Sequence, residues 1–333
     1  MTRREMIKIG GVASLAATIP MPFTNLLIFN EMIDKENFDV IIIGGSYSGL
    51  SAALALGRSL KSVLIIDGGS PCNKQTPHSH NFLTQDGKTP LEISTLAKQQ
   101  VLEYPTVTFH KDFAISGEKT ELGFNIRTRK EKIFRAKKII FATGIKDTML
   151  DIPGLSESWG ISVVHCPYCH GYELRDQKTG ILANGERAFH LSAMVNNLTD
   201  NLTILTNGEM EFDVEQLEKL EKNNIKVITT EVSELEHENG HLKRVIFKNG
   251  SSENFTGLYA ALPFTQHSEI PKQLGCELTE HGFIEVDSMQ KTSVSGVFAC
   301  GDNSTMMRSI ANAVYGGNIA GVMVNSELTK ESF

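Results

Sequence analysis

The sequence predicts an α/β protein made of two Rossmann-like, three-layer units that bind dinucleotides. Three observations predict this. Residues 38–43 form a continuous apolar run of strand length that enters a Gly-Gly turn. A helical stretch and a second apolar run ending in an acid follow directly. The same order of strand, turn, helix and strand recurs over residues 179–207. Continuous apolar strands alternating with helices mark a parallel sheet buried on both faces.

The chain of 333 residues is long enough for two cores. Its formal charge of −7 argues against a nucleic-acid partner, because phosphate contact needs basic patches. The five cysteines are Cys72, Cys166, Cys169, Cys276 and Cys300, and only two are closely paired, so this is not a secreted disulfide scaffold. The three single cysteines are expected to be small buried apolar residues.

The N-terminus reads Thr2-Arg3-Arg4-Glu5-Met6-Ile7-Lys8, followed by a mostly apolar or small, uncharged stretch over 9–30. This pattern resembles a twin-arginine export signal, with small residues at Ser14-Leu15-Ala16 for cleavage. Pro20 and Pro22 interrupt the run and argue against a membrane-spanning helix. Residues 1–36 are therefore expected to be an export signal and linker, which implies a periplasmic protein. The alternative is an ordinary extension on a cytoplasmic one.

In the first unit, residues 38–43 lead into Gly44-Gly45-Ser46-Tyr47-Ser48-Gly49, a helix over 50–60 and a strand over 62–67. A glycine turn lets the backbone approach a pyrophosphate, the helix N-terminus faces its charge, and an acid at the second strand tip binds ribose hydroxyls. Asp67, 23 residues after Gly44, is in place for that last role. Ser46 stands where the middle glycine of G-x-G-x-x-G would be. A polar, irregular loop over 76–83 has the length and exposure of a ligand loop. A helix is expected over 90–103, and short strands over 107–110, 123–127 and 132–136. A separate buried strand is expected over 138–144, and Asp151-Ile152-Pro153-Gly154 reads as a linker.

Cys166-Pro167-Tyr168-Cys169-His170 follows. Two cysteines at this spacing can close and reopen a disulfide, provided that one has a lowered pKa. His165 and His170 flank the pair as proton carriers. A zinc site would want a second Cys/His pair at similar spacing, and the sequence has no second C-x-x-C. The reading is therefore redox, with no metal.

The second unit has a strand over 179–183, a turn and helix over 184–198 and a strand over 201–207. Its fingerprint is degraded. Ala183 replaces the first glycine, the second strand ends in Thr206-Asn207 without an acid, and no Lys or Arg occurs from Ala188 to Glu218 to meet a 2′-phosphate. The chain then runs through an apolar stretch over 258–263 and an expected strand over 282–287. A strand leading to Gly301-Asp302 and a helix over 309–328 complete it. Asp302 is placed as a turn residue or as an acceptor for a ribitol chain.

Taken in order, several landmarks resemble the low-molecular-weight thioredoxin reductase family of FAD flavoproteins, the class II pyridine nucleotide-disulfide oxidoreductases. They are the first glycine unit, Asn81-Phe82, Ala142-Thr143-Gly144, the C-x-x-C, and Thr292-Ser293 through Gly301-Asp302. The resemblance runs from about residue 38 to 328. It implies that the second unit is inserted into the first: an FAD domain over 37–152 plus 265–333, and an NAD(P)-binding-like domain over 153–264 carrying the cysteines. It also implies a homodimer, FAD contacts from Gly44, Gly45, Ser46, Gly49, Asp67, Asn81, Gly301 and Asp302, and NADPH or NADH as donor. His170 stands where the family usually has an acid, and the basic NADPH cluster is absent. Both departures are similar to the branch containing gliotoxin-type dithiol oxidases.

By this resemblance Cys169 faces the flavin, Cys166 exchanges with the external thiol or disulfide, and His170 is the acid or base. An imidazole suits proton transfer near neutral pH. The partner is then a thioredoxin-like protein or a small dithiol or disulfide. The expected function is an FAD-dependent dithiol/disulfide oxidoreductase with NAD(P)H as donor. The alternatives are an exported dithiol oxidase using oxygen or another acceptor, and a non-catalytic flavin-binding or electron-transfer protein.

Overall fold

The computed structural model describes residues 37–333; the export signal expected before them lies outside the described residues. The first apolar run is β1 (Asn37–Ile43), followed by α1 (Tyr47–Arg58) and β2 (Val63–Asp67). β1 and β2 pair in parallel, Val40 with Val63 through Ile43 with Ile66. The two-residue period decides what each side chain meets. Val40 and Ile42 pack with Leu50, Ala53 and Leu56 of α1, whereas Ile41 and Ile43 pack in a second cluster with Phe124, Ile126 and Phe134. Burial of each such aliphatic side chain contributes about 1.5–3 kcal/mol, so a continuous apolar run is what a strand covered on both faces requires.

α2 (Pro90–Leu102) starts at a capping box in which Thr89 and Glu92 satisfy each other's backbone N–H groups. Next come β3 (Val107–Lys111), β4 (Ala114–Thr120), β5 (Gly123–Thr128) and β6 (Ile133–Phe141). The sheet runs β3-β2-β1-β6-β5-β4, and a late strand also pairs with β6. Here the structure differs from the sequence reading. The stretches over 132–136 and 138–144 are one strand, not two, because β6 serves two partners in succession on the edge away from β1. Its first half pairs antiparallel with β5, and Ile139–Phe141 pairs in parallel with the late strand.

β7 (Ile145–Asp147), α3 (Leu155–Ser158), β8 (Val163–Val164) and α4 (Pro167–His170) follow. Then come β9 (Thr179–Leu182), α5 (Gly185–Val195), β10 (Leu202–Leu205), α6 (Val214–Lys222) and β11 (Lys226–Ile228). β12 (Val232–Glu238), β13 (His241–Phe247) and β14 (Ser252–Asn254) make a three-stranded antiparallel sheet. β15 (Gly257–Ala260) completes a five-stranded parallel sheet of order β11-β10-β9-β15-β8. β16 (Phe264–Gln266) pairs antiparallel with β7, so the chain enters and leaves this second sheet along one two-stranded ladder.

α7 (Ile270–Gln273), β17 (Val297–Ala299) and α8 (Ile310–Ser332) return to the first sheet. The strand expected over 282–287 is not formed. Ile284 makes one isolated bridge with Leu278, and its N–H donates to the Asn303 carbonyl instead of to a neighbouring strand.

Candidate active site

One cleft of about 470 Å³ lies beside the C-terminal ends of β1 and β2. The first glycine turn forms part of its wall. Gly44 has φ +109°, and a Cβ there would sit 2.1 Å from the Ala142 carbonyl oxygen, so only glycine lets the turn lie against the end of β6. Gly49 is excluded from carrying a side chain in the same way, by the Gly44 carbonyl oxygen at 1.9 Å. Asp67 accepts from Gly45 N at 3.0 Å and Gly69 N at 2.9 Å, which fixes its carboxylate at the tip of β2. Ser46 caps α1 without a side-chain hydrogen bond, leaving the first-turn amides unclaimed by it.

Gly44, Gly45, Ser46, Asp67 and Asp302 all line this cleft. Gly49 and Gly301 do not; both lie behind it and permit close packing, Gly301 with φ +84° against Ser48. Asn81 is exposed, has φ +59°, and donates its backbone N–H to Asp86 at 2.8 Å; it is not on the cleft wall.

The cysteine segment meets the cleft from the other side. Cys166 is the N-cap of α4, with Pro167 at its first position. Gly171 is required behind the turn: a Cβ there would lie 2.3 Å from the Pro167 carbonyl oxygen and 2.5 Å from Leu198 Cδ1. The two sulfurs are 2.7 Å apart, with Cys169 Sγ donating to Cys166 Sγ. That hydrogen bond lowers Cys166 to about 7, against burial, and it raises Cys169, which burial raises further. Cys169 and His170 line the cleft; Cys166 does not.

Burial lowers the pKa of His170, and neither ring nitrogen has a hydrogen-bond partner among the described residues. His165, 6.1 Å from the Trp159 ring, is held neutral by burial, which lowers its pKa to about 3, and its Nε2 also has no hydrogen-bond partner among the described residues.

Sequence reasoning missed several residues on and behind the cleft wall. Arg308 donates two hydrogen bonds to Asp147, at 2.8 and 3.0 Å, and lies 3.7 Å from Asp302. Burial raises the Asp302 carboxyl and Arg308 opposes the rise. Asn303 is fully buried and donates to the Phe141 carbonyl at 3.0 Å, tying the Gly-Asp loop to β6. The pairing of Arg308 with Asp147 spans 161 residues and leaves no local pattern in the chain. Cys72 is a correction: it is not a buried apolar residue but is exposed and lines the cleft, where surrounding protein and Asp302 push its thiol up to about 11. Cys276 and Cys300 are buried as expected.

A cleft with a glycine turn on one side and Cys169 of a close cysteine pair on the other carries the groups of a disulfide oxidoreductase. The family model for pyridine nucleotide-disulphide oxidoreductases matches residues 38–317, and the chain belongs to that family. It is 32% identical over 303 residues to the thioredoxin reductase tcpT of Claviceps purpurea, covering 87% of this chain and 94% of that one. Among solved structures it is similar to an oxidoreductase from Agrobacterium tumefaciens, at 38% identity and TM-score 0.83, covering 88% of this chain and 99% of that one. It is also similar to the thioredoxin reductase of Streptococcus pyogenes, at 25% identity and TM-score 0.82, covering 90% and 99%. The chain is thus a thioredoxin reductase-like oxidoreductase acting on disulfides, and its family implies FAD and NAD(P)H.

The two cofactors fit unequally. For FAD, the glycine cradle and the fixed Asp67 match a ligand bearing pyrophosphate and hydroxyl groups. The second turn does not fit a pyrophosphate. Asn184 Oδ1 already accepts from Gly185 N at 2.9 Å and Glu211 N at 3.1 Å, and the Glu211 carboxylate would lie 3.4 Å from a Cβ on Gly185. A side-chain amide fills the anion position and a carboxylate repels what would replace it.

Proposed function

We propose that Cys166 and Cys169 are the redox couple of a dithiol/disulfide exchange, with His170 moving the proton and the Gly44–Asp67 unit with Asp302 holding FAD. The observation that carries this reading is that Cys169 and His170 line the same cleft as Gly44, Asp67 and Asp302, while Cys166 does not line it. The inner sulfur is then the one that communicates with the flavin, and the outer one meets the external thiol. Bound there, FAD would supply the two-electron acceptor or donor for the sulfur pair.

The protein's own part is sulfur chemistry. Cys166, as the lower-pKa thiol, is the nucleophile towards an external disulfide; in the oxidised pair its sulfur is the one an external thiolate attacks. In that second case the Cys166–Cys169 bond breaks and its electron pair leaves on Cys169. Thioredoxin-like proteins and small dithiols or disulfides are the substrate class. Electron entry from a dithiol, with oxygen or another acceptor downstream, is the reading favoured by the filled second turn. The same proposal assigns 37–152 with 265–333 to the flavin domain and 153–264 to the inserted one. It also holds the chain to be a homodimer exported by a twin-arginine signal to the periplasm.

Anaerobic titration of the FAD-loaded protein with dithiothreitol tests this reading. A long-wavelength thiolate–flavin band is expected, and Cys169→Ser abolishes it. Full turnover by Cys169→Ser would sink the assignment.

A further inference from the structure

Both nitrogens of the His170 imidazole are shielded, and neither has a hydrogen-bond partner among the described residues. Besides the neighbouring His165, two ionisable groups act on it: Glu173, three residues on, and His80 from the loop between β2 and α2. These two meet each other. His80 Nε2 lies 3.5 Å from Glu173 Oε1, and His80 Nδ1 lies 3.5 Å from Asp86 Oδ2. The contact joins the cysteine segment to a loop 93 residues earlier in the chain. Exposure of the side chains rises outward, from 23% for His80 to 44% for Glu173 and 67% for Asp86. His78, whose ring centroid is 6.5 Å from that of His80, flanks the path. His78, His80 and His170 all line the cleft.

We propose that His80, bridged to Glu173, is the proton relay between His170 and solvent. The inference rests on the redox reading of Cys166 and Cys169. The chemistry requires such a path. Two thiols of a dithiol carry two protons, and the disulfide accepts one electron pair. When the exchange ends with the cysteine pair holding one proton between them, as one thiol and one thiolate, and the dithiol closed to a disulfide, one proton must leave the site. His170 accepts it from the attacking thiol, and an imidazole flanked by two carboxylates can pass it on, taking a proton on one nitrogen and releasing one from the other. The groups facing His80 are His78 and Asp86 from its own loop, and His170 and Glu173 from the cysteine segment. His80 does not touch the reacting sulfurs; it acts through His170.

Anaerobic stopped-flow mixing of the FAD-loaded protein with dithiothreitol tests the relay. His80→Gln is expected to slow flavin bleaching about 100-fold, the lower end of what a positioned acid or base contributes, while the equilibrium thiolate–flavin band stays. Glu173→Gln should slow it in the same direction. In His80→Ala, added imidazole should restore the rate in proportion to its concentration, which repair of a merely structural loss would not do. Unchanged rate and pH profile in His80→Gln would overturn the relay, as would a slow His80→Ala that imidazole leaves slow. Absence of the band in the unsubstituted protein would instead overturn the redox reading beneath it.

Discussion

Arg308 lies end-on to Asp147, each terminal nitrogen donating to a different carboxylate oxygen, at 2.8 and 3.0 Å. The pair joins β7, on the ladder leading to the cysteines, to the loop that carries Asp302. Both side chains are largely shielded, at 16% and 6% exposure. Removing one partner of a buried pair leaves an uncompensated charge, at about 3–5 kcal/mol. Asp147→Asn is therefore expected to lower stability by about 3 kcal/mol in urea unfolding, with Arg308→Lys losing less because the charge persists. Arg308 also favours the thiolates of Cys166 and Cys169, so Arg308→Met should move thiol titration upward in pH.

The hydrogen bond from Cys169 sets a second expectation. It lowers Cys166 from an ordinary value near 9 to about 7. Thiolate is thus present at neutral pH and is lost as pH falls below about 7. Iodoacetamide should label the reduced protein at a rate with its midpoint near pH 7. Cys169→Ala, which removes the donor, should move that midpoint up towards 9. Cys72, pushed up to about 11, should stay unlabelled at pH 7 in peptide mapping.

Gly171 offers a purely steric test. A methyl there meets a backbone carbonyl oxygen at 2.3 Å, which cannot rotate away. Gly171→Ala should displace the cysteine turn and cut dithiol turnover by about 100-fold, as misplacement near 1 Å does. Overpacking should cost about 1–3 kcal/mol of stability besides. Retention of full turnover would contradict the tight packing of this turn.

The second turn can be reopened. Replacing Asn184 with Gly and Glu211 with Gln frees the Gly185 amide and removes the facing charge. Stopped-flow reduction of the flavin by NADPH should become at least about tenfold faster in this double variant, by the charge-assisted worth of one amide–phosphate contact. An unchanged rate would place the obstacle elsewhere.

Much of the frame is visible in the chain itself. β1, the Gly44 turn, α1, β2 and Asp67 follow from one apolar run, three glycines and an acid. The start of α1 at Tyr47, three residues before the expected 50, reflects how a glycine turn runs into a helix without a break in composition. β4, Ala114-Ile115-Ser116-Gly117-Glu118-Lys119-Thr120, escapes because its residues are exposed or half-buried and give no apolar signal. The opposite error arises over 282–287, where Phe283, Ile284 and Val286 pack into apolar surroundings from a loop. Within the site, Cys166, Cys169 and His170 announce themselves by spacing. Arg308–Asp147 and His80–Glu173 do not, because each joins residues far apart whose local sequence is ordinary.

β6 has a further consequence. Nine residues of one strand carry the antiparallel hairpins at one end and the floor of the cleft at the other, where the Ala142 carbonyl abuts Gly44. A sheet transmits a one-residue slip along its whole length and turns every side chain over. Insertions in the outer hairpin at 121–122, remote from any sulfur, should therefore spoil cofactor affinity when they unseat β5 from β6, and be harmless when the loop absorbs them.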